Sequence, residues 1–131
     1  MLISVKTSAK TQMIDITSQV DKAVKTSGIE NGLVHVYSMH TTAAVTINEN
    51  ADPSVETDIL NTINRMVPWD DNYKHMEGNS AAHIKTSLFG PSELIPLEKG
   101  AMVLGTWQGI YFCDFDGPRN RKVNVKIIST P

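Results

Sequence analysis

Three of the four histidines lie in polar, turn-rich parts of the chain. His40 follows a strand-like segment, His75 belongs to a long stretch without periodicity, and His83 lies near the start of a short helical segment. Neutral imidazole is the commonest metal ligand, and three imidazoles with one water suit a catalytic zinc. Because their spacing is no standard ligand signature, scattered surface or hydrogen-bonded histidines are the alternative interpretation.

Acidic and basic side chains near these histidines are further candidates for chemistry. Glu49 and Glu77 suit a general acid or base, since a carboxylate in a pocket can be tuned for proton transfer. Either is equally compatible with a solvated loop charge. Arg119 lies in a charged turn that begins at Asp114, and a guanidinium group matches phosphate in bidentate geometry. Ion pairs within the turn are the alternative there.

Three other residues are interpreted without a catalytic role. His35 alternates with apolar neighbours along a strand, which is typical of a structural histidine. Cys113 is the single cysteine and has no adjacent basic partner, so it is interpreted as a buried apolar side chain rather than a nucleophile. Trp107 lies between two glycines, which indicates a bulge or a close approach to a ligand, with plain core packing as the alternative.

Apolar periodicity predicts the elements that must position these residues. Period-two alternation and β-branched runs predict strands at residues 2–5, 12–16, 33–37, 43–47, 93–97, 101–104, 109–115 and 122–129. The first two of these are expected to pair with each other. Helices are predicted from Ser18 to Gly28, from the Asp52-Pro53 start to Pro68, and from Ser80 to about Leu88.

The second of these helices carries one apolar stripe, which predicts packing on a sheet. Its members are Val55, Ile59, Leu60, Ile63 and Met66. Strands outnumber helices by more than two to one, so the predicted class is α+β, with a large, mostly antiparallel mixed β-sheet and two to three helices. The last four strands are expected to form an antiparallel meander, and residues 1–131 are expected to form one domain.

Composition narrows the class of function. Twelve Lys and Arg against fourteen Asp and Glu give a net charge of −2, so no broad positive field is available for nucleic acid. No segment approaches the roughly 18 to 20 apolar residues of a membrane span. One cysteine cannot close a disulfide within the chain, which fits a reducing compartment. We expect a cytoplasmic protein that binds neither nucleic acid nor membrane.

Several motifs in a fixed order resemble the YjbQ family over essentially the whole chain. The resemblance rests on His40-Thr41-Thr42-Ala43-Ala44, Asn48-Glu49-Asn50, the His75 to His83 stretch, Gly105-Thr106-Trp107-Gln108 and Asp116-Gly117-Pro118-Arg119. It implies a compact homotrimer with an α+β fold and pockets at subunit boundaries. It also implies a secondary thiamine-phosphate synthase activity, which joins a pyrimidine diphosphate to a thiazole phosphate and releases pyrophosphate.

The resemblance further implies roles for individual residues. His40, His75 and His83 would hold a divalent metal, with zinc as the expected ion and magnesium as the alternative. His40 and His83 would also act in catalysis, together with Glu49 as the group that handles protons. A small phosphorylated substrate would be bound by Thr41, Gln108 and Arg119. A metal-dependent hydrolase of a phosphorylated metabolite and a non-catalytic, ligand-binding trimer remain the alternatives, since the same residues would serve all three.

Overall fold

The computed structural model describes all residues 1–131, and it contains eight strands and three helices. In chain order these are β1 (Leu2–Lys6), β2 (Gln12–Asp15), α1 (Thr17–Ser27), β3 (Gly32–Ser38), β4 (Ala43–Glu49), α2 (Pro53–Met66), α3 (Ser80–Phe89), β5 (Ser92–Glu98), β6 (Ala101–Met102), β7 (Gln108–Asp114) and β8 (Asn120–Ser129). The predicted α+β class is confirmed. Asp52 caps α2 as expected, since its carboxylate accepts a hydrogen bond from the Ser54 amide at 2.9 Å.

The strands form two antiparallel sheets. The larger has the order β1-β8-β3-β5-β6, and the smaller has the order β2-β7-β4. The predicted meander is therefore wrong beyond the β5-β6 hairpin, because β7 and β8 belong to different sheets. The expected pairing of the first two strands is also wrong, since β1 pairs with β8 and β2 pairs with β7.

The smaller sheet lies between two apolar clusters, which explains why β7 is buried along nearly its whole length. Ile110 and Phe112 join the cluster that contains the buried faces of the larger sheet and α1. Tyr111 and Cys113 alternate with them and join the cluster formed with α2 and α3. When both faces of a strand are covered, its sequence is a continuous apolar run and does not alternate between apolar and polar residues.

The apolar stripe of α2 is only partly covered. Ile63 is buried, whereas Met66 is 69% exposed. Between the helix and Phe89 lies an open groove with a volume of about 450 Å³ and mainly apolar walls, to which Val55 and Ile59 also contribute. The expectation that the whole stripe packs on a sheet is therefore wrong, because the side chains at its rim face this groove.

None of the three helices has both the length and the apolar character that crossing a bilayer requires.

Candidate functional site

A polar pocket of about 440 Å³ lies at the end of the smaller sheet where β4 begins and β7 ends. Four segments build it: the β3–β4 loop, the loop between α2 and α3, the first turns of α3, and the β7–β8 turn with the start of β8. Its walls are almost entirely polar and comprise Met39, His40, Thr41, Thr42, His75, Glu77, Asn79, His83, Asp116, Arg119 and Arg121.

The floor of the pocket is a buried ion pair. Arg121 donates from Nη2 to Asp114 Oδ1 at 2.7 Å and from Nε to Oδ2 at 3.1 Å, and neither side chain is more than 6% exposed. Thr7 donates to Oδ2 at 2.6 Å, and Arg121 also donates to the Thr42 hydroxyl at 2.9 Å. Burial raises the pKa of Asp114, but the hydrogen bonds from Arg121 and Thr7 outweigh it and leave that pKa below its ordinary value.

A second, more exposed ion pair forms one wall. Arg119 donates from Nε to the Asp116 carbonyl at 2.8 Å and from Nη2 to the Asp116 carboxylate at 3.1 Å. Asn79 donates its amide to the same carboxylate oxygen at 2.9 Å. The amide oxygen of Asn79 is then left buried without a hydrogen-bond partner. This oxygen is enclosed by protein atoms, so a molecule in the pocket does not reach it.

The β3–β4 loop holds His40 in one orientation. Ser38 donates its hydroxyl to the Ala43 carbonyl at 2.7 Å and accepts the His40 amide at 3.3 Å. The ring nitrogen Nε2 of His40 accepts the backbone amide of Lys122 at 2.9 Å. Because Nε2 uses its lone pair in this way, the neutral ring carries its proton on Nδ1.

The surroundings of His40 favour this neutral form. Burial lowers the pKa of His40 below 6.5, and the positive charge of Arg121 lowers it further. Asp114 acts in the opposite direction with a smaller effect. At neutral pH the ring is therefore an uncharged hydrogen-bond donor through Nδ1–H.

The other two histidines pack against each other in the pocket wall. The rings of His75 and His83 stand edge to face with their centroids 5.3 Å apart. His83 is half-buried on α3, whereas His75 is exposed in the preceding loop. Two adjacent imidazoles thus present ring nitrogens for hydrogen bonding at the pocket wall.

The side chains as placed do not fit the three-histidine metal centre implied by the family resemblance. A metal ligand needs a free lone pair on the ring nitrogen, and that of His40 Nε2 accepts the Lys122 amide. No group of three or more His, Cys, Asp or Glu side chains is placed to hold a metal ion. Zinc or magnesium binding stays a prediction, and no chemical step is assigned to it.

The pocket brings together five of the seven predicted site residues, namely His40, Thr41, His75, His83 and Arg119. It does not include the other two, Glu49 and Gln108. In the register of β4 and β7, Ala43 pairs with Asp114 at the pocket end, whereas Glu49 pairs with Gln108 at the far end. These two ends are six positions apart along the strand, which corresponds to a distance of about 20 Å. Within one chain, Glu49 and Gln108 therefore lie outside this pocket, and their roles stay predictions.

Glu49 and Gln108 make structural contacts instead. The Glu49 carbonyl accepts the Tyr111 hydroxyl at 3.2 Å, and the Gln108 side chain accepts the Gly105 amide at 2.7 Å. Trp107 lies beside them with its side chain 62% exposed. A turn closes between Gly105 and Gln108, and the Asn50 side chain packs so closely on Gly109 that a Cβ there would clash with it.

Sequence reasoning placed Arg121 and Asp114 in a charged turn, with ion pairs as one interpretation, but did not assign them to the site, and it missed Asn79. The strand pattern of β8 contains a usable signal for the first, because Arg121 falls on the same face as the buried Val123 and Val125. An arginine at an inward position requires a buried acid. No comparable signal marks Asn79, since its burial depends on the path of the loop before α3.

Fold and pocket together define an α+β protein of two antiparallel sheets with a histidine-lined polar site at the end of the smaller sheet. The chain belongs to the family described as UPF0047 protein YjbQ-like, whose sequence model matches residues 1–130. It is 47% identical over 127 residues to UPF0047 protein YugU of Bacillus subtilis, with 96% of each chain covered. It is 49% identical over 124 residues to UPF0047 protein MJ1081 of Methanocaldococcus jannaschii, with 95% of this chain and 90% of that one covered.

Solved structures agree with this assignment. An uncharacterised conserved protein of the YjbQ/UPF0047 family from Clostridium acetobutylicum superposes with a TM-score of 0.96 at 57% identity, over 98% of this chain and 99% of the other. A YbjQ-like protein of unknown function from Sulfolobus solfataricus superposes with a TM-score of 0.95 at 34% identity, over 98% and 95% of the two chains.

These relatives overturn the function expected from the resemblance. They are known as UPF0047 proteins, as uncharacterised or as of unknown function. They provide no support for a thiamine-phosphate synthase or for a metal-dependent hydrolase of phosphorylated metabolites. The predicted metal-assisted enzyme is therefore wrong as an assignment for this chain, and the function has to be argued from the pocket.

The buried ion pair predicts a large loss of stability in the variant Asp114→Asn. Removing one charge leaves the Arg121 guanidinium buried without a counter-ion, which costs roughly 3–5 kcal/mol. The measurement is the free energy of unfolding in urea. Asp21→Asn is the matched control, since Asp21 forms an exposed pair with Lys25 and its loss costs less than about 1 kcal/mol. Equal costs in the two variants would contradict the assigned role of the pair.

The environment of His40 predicts both its tautomer and its titration. We expect the Nδ1–H form near pH 7 and a pKa below 6.5. Two-dimensional NMR of the ring nitrogens measures both. Since the folded pKa lies below the unfolded value, this group's contribution to stability is complete above pH 6.5 and is lost as the pH falls through the folded pKa. An Nε2–H tautomer, or a pKa above 6.5, would refute this description.

Proposed function

We propose that the pocket binds a small, water-soluble molecule that carries one oxyanion group and neighbouring hydroxyl or amine groups. One observation carries this proposal: hydrogen-bonding side chains, among them His40, Thr41 and Arg119, line a single polar cavity of about 440 Å³. Such a cavity is large enough for a metabolite of several carbon atoms. Its mostly polar wall favours a polar occupant.

The oxyanion end of the ligand belongs beside Arg119. Asp116 fixes this guanidinium through Nε and Nη2, which leaves the other terminal nitrogen to donate into the pocket. The Nδ1–H group of His40 and the hydroxyl of Thr41 are further donors on the same wall. Charge-assisted hydrogen bonds of this kind are stronger than neutral ones.

The charges around the pocket limit how negative the ligand is. Arg121 is neutralised by Asp114 and Arg119 by Asp116, while Glu77 adds a negative charge at the rim. The pocket therefore selects by hydrogen-bond geometry rather than by a strong positive field. A single carboxylate or phosphate group suits this balance, and the Glu77 carboxylate accepts a hydroxyl or amine of the same ligand.

The two adjacent histidines add further hydrogen-bonding groups to the pocket. His75 and His83 lie within the pocket wall, where they contact a bound molecule directly. An imidazole ring can donate and accept hydrogen bonds, so this pair would bind a hydroxyl or amine of the ligand. A metal ion bound by these two side chains is the alternative to this role.

Binding is tested by calorimetry with three probes that share one carbon frame: glycerol 3-phosphate, glycerate and glycerol. We expect one or both of the anionic probes to bind and glycerol not to bind. In Arg119→Gln, loss of a charge-assisted hydrogen bond worth about 1.5–3 kcal/mol weakens binding at least roughly tenfold. Arg65→Gln is the matched control, because Arg65 is an exposed arginine at the end of α2.

Two outcomes of this experiment would overturn the proposal. Equal affinity for glycerol and the anionic probes would show that the oxyanion group does not contribute to binding. Stoichiometric binding of zinc or magnesium chloride that is lost in His40→Gln and His83→Gln, without any effect of Arg119→Gln on the anions, would replace ligand binding with a metal centre.

We also propose that the protein is a homotrimer in the cytoplasm. A cyclic trimer uses two different surfaces of each subunit, and the chain has two uncovered apolar surfaces. One is the α2 groove with Met66. The other is the outer face of the larger sheet, where register places four exposed side chains on one side: Leu2, Tyr37, Leu94 and Ile128. A buried single thiol, Cys113, is compatible with a reducing compartment.

Light scattering coupled to gel filtration tests the assembly. The expected mass is three times that of the chain, and Leu94→Glu or Met66→Glu shifts it to that of a monomer, because a charge in an apolar contact is costly. Met76→Glu is the control, since Met76 is fully exposed in a loop outside both surfaces. A monomeric wild-type protein would exclude the trimer.

A further inference from the structure

A second polar cavity, separate from the histidine pocket, contains two lysines. It has a volume of about 200 Å³ and is lined by Lys10, Thr11, Asn64, Trp69 and Lys85. Two ammonium groups thus share one small cavity, and none of its lining residues is acidic. This composition is the reverse of the histidine pocket, where each arginine has an acidic partner.

Lys85 is the unusual member of this set, because it is only 2% exposed. It lies on the buried face of α3 together with Ala81, Ala82 and Thr86. Its Nζ donates to Asn64 Oδ1 at 2.7 Å. An ammonium group has three hydrogens to donate, and a buried charge without a counter-ion is costly. The structure therefore gives Lys85 one neutral acceptor where an anion is needed.

The remaining lining residues are arranged around that ammonium group. Asn64 donates from its amide nitrogen to Thr11 Oγ1 at 3.2 Å, which fixes the amide so that its oxygen faces Lys85. Because Thr11 accepts this bond, its own hydroxyl hydrogen is free to donate into the cavity. Lys10 holds its ammonium 3.9 Å from the centroid of the Trp69 ring, a cation–π contact that positions it at the mouth.

The electrostatics agree with this geometry. Burial lowers the pKa of Lys85, and the charge of Lys10 lowers it further. No acidic group opposes these two effects. An anion in the cavity would oppose both effects on the pKa of Lys85, since it would pair with the two ammonium groups at once.

We propose that this cavity is an oxyanion-binding site in which a small phosphate, sulfate or carboxylate group bridges Lys85 and Lys10 and accepts the Thr11 hydroxyl. Free inorganic anions and the charged end of a small metabolite share this chemistry. No residue lines both this cavity and the histidine pocket, so the two sites are distinct.

Trp69 provides a direct readout. The chain has two tryptophans, and the exposed Trp107 is replaced in a Trp107→Phe background so that fluorescence reports on Trp69 alone. We expect inorganic phosphate or sulfate, or acetate as the carboxylate probe, to change this fluorescence saturably at constant ionic strength. Chloride at the same ionic strength leaves it unchanged. Binding of phosphate alone identifies the inorganic ion or a phosphate ester as the source, and binding of acetate identifies a carboxylate.

Variants in the same background decide whether the two lysines hold the anion. Lys85→Met and Lys10→Met each weaken binding at least tenfold, whereas Lys22→Met, an exposed lysine on α1, does not. Arg119→Gln leaves this site unaffected, which separates it from the histidine pocket. Since Lys10 is on the surface, its variant keeps the test valid if Lys85→Met fails to fold. No saturable change, or the same loss in Lys22→Met, would overturn the proposal.

Discussion

The buried contact between Arg121 and Asp114 is the interaction on which the histidine pocket depends. It joins the end of β7 to the start of β8, and through Thr7 and Thr42 it also holds the β1–β2 and β3–β4 loops. Each of these segments contributes to the pocket or supports a residue that does. Because a buried pair tolerates little displacement, the loops around it are fixed before any ligand arrives.

The central position of β7 explains why the pocket lies where it does. With both faces covered by apolar clusters, the strand has no room for polar side chains until it reaches Asp114. Polar groups from several loops therefore gather at that end. The opposite end of the strand emerges at Gln108 and meets solvent, so the two ends of one sheet have different chemistry.

Local patterns were sufficient for the elements but not for their partners. Alternation located the strands, and Asp52 before Pro53 located the start of α2, because these signals act within a few residues. Alternation does not say which strand lies beside which, so the division into two sheets was missed. The same limit affected the site: the three histidines and Arg119 were recognised as polar groups in loops, whereas Glu49 and Gln108 depended on a topology that the sequence does not encode locally.

The bond between Lys122 and His40 has a further consequence. The pairing of β3 with β8 ends at Ser38 and Val123, and the imidazole ring occupies the next position as an acceptor for the β8 backbone. The ring thus acts as the last rung of a β-ladder. Adding a proton to Nε2 would replace an acceptor with a donor and break that rung. Proton uptake in the pocket and separation of β3 from β8 at this end are therefore one linked equilibrium, in which a ligand that holds His40 neutral also keeps these two strands paired.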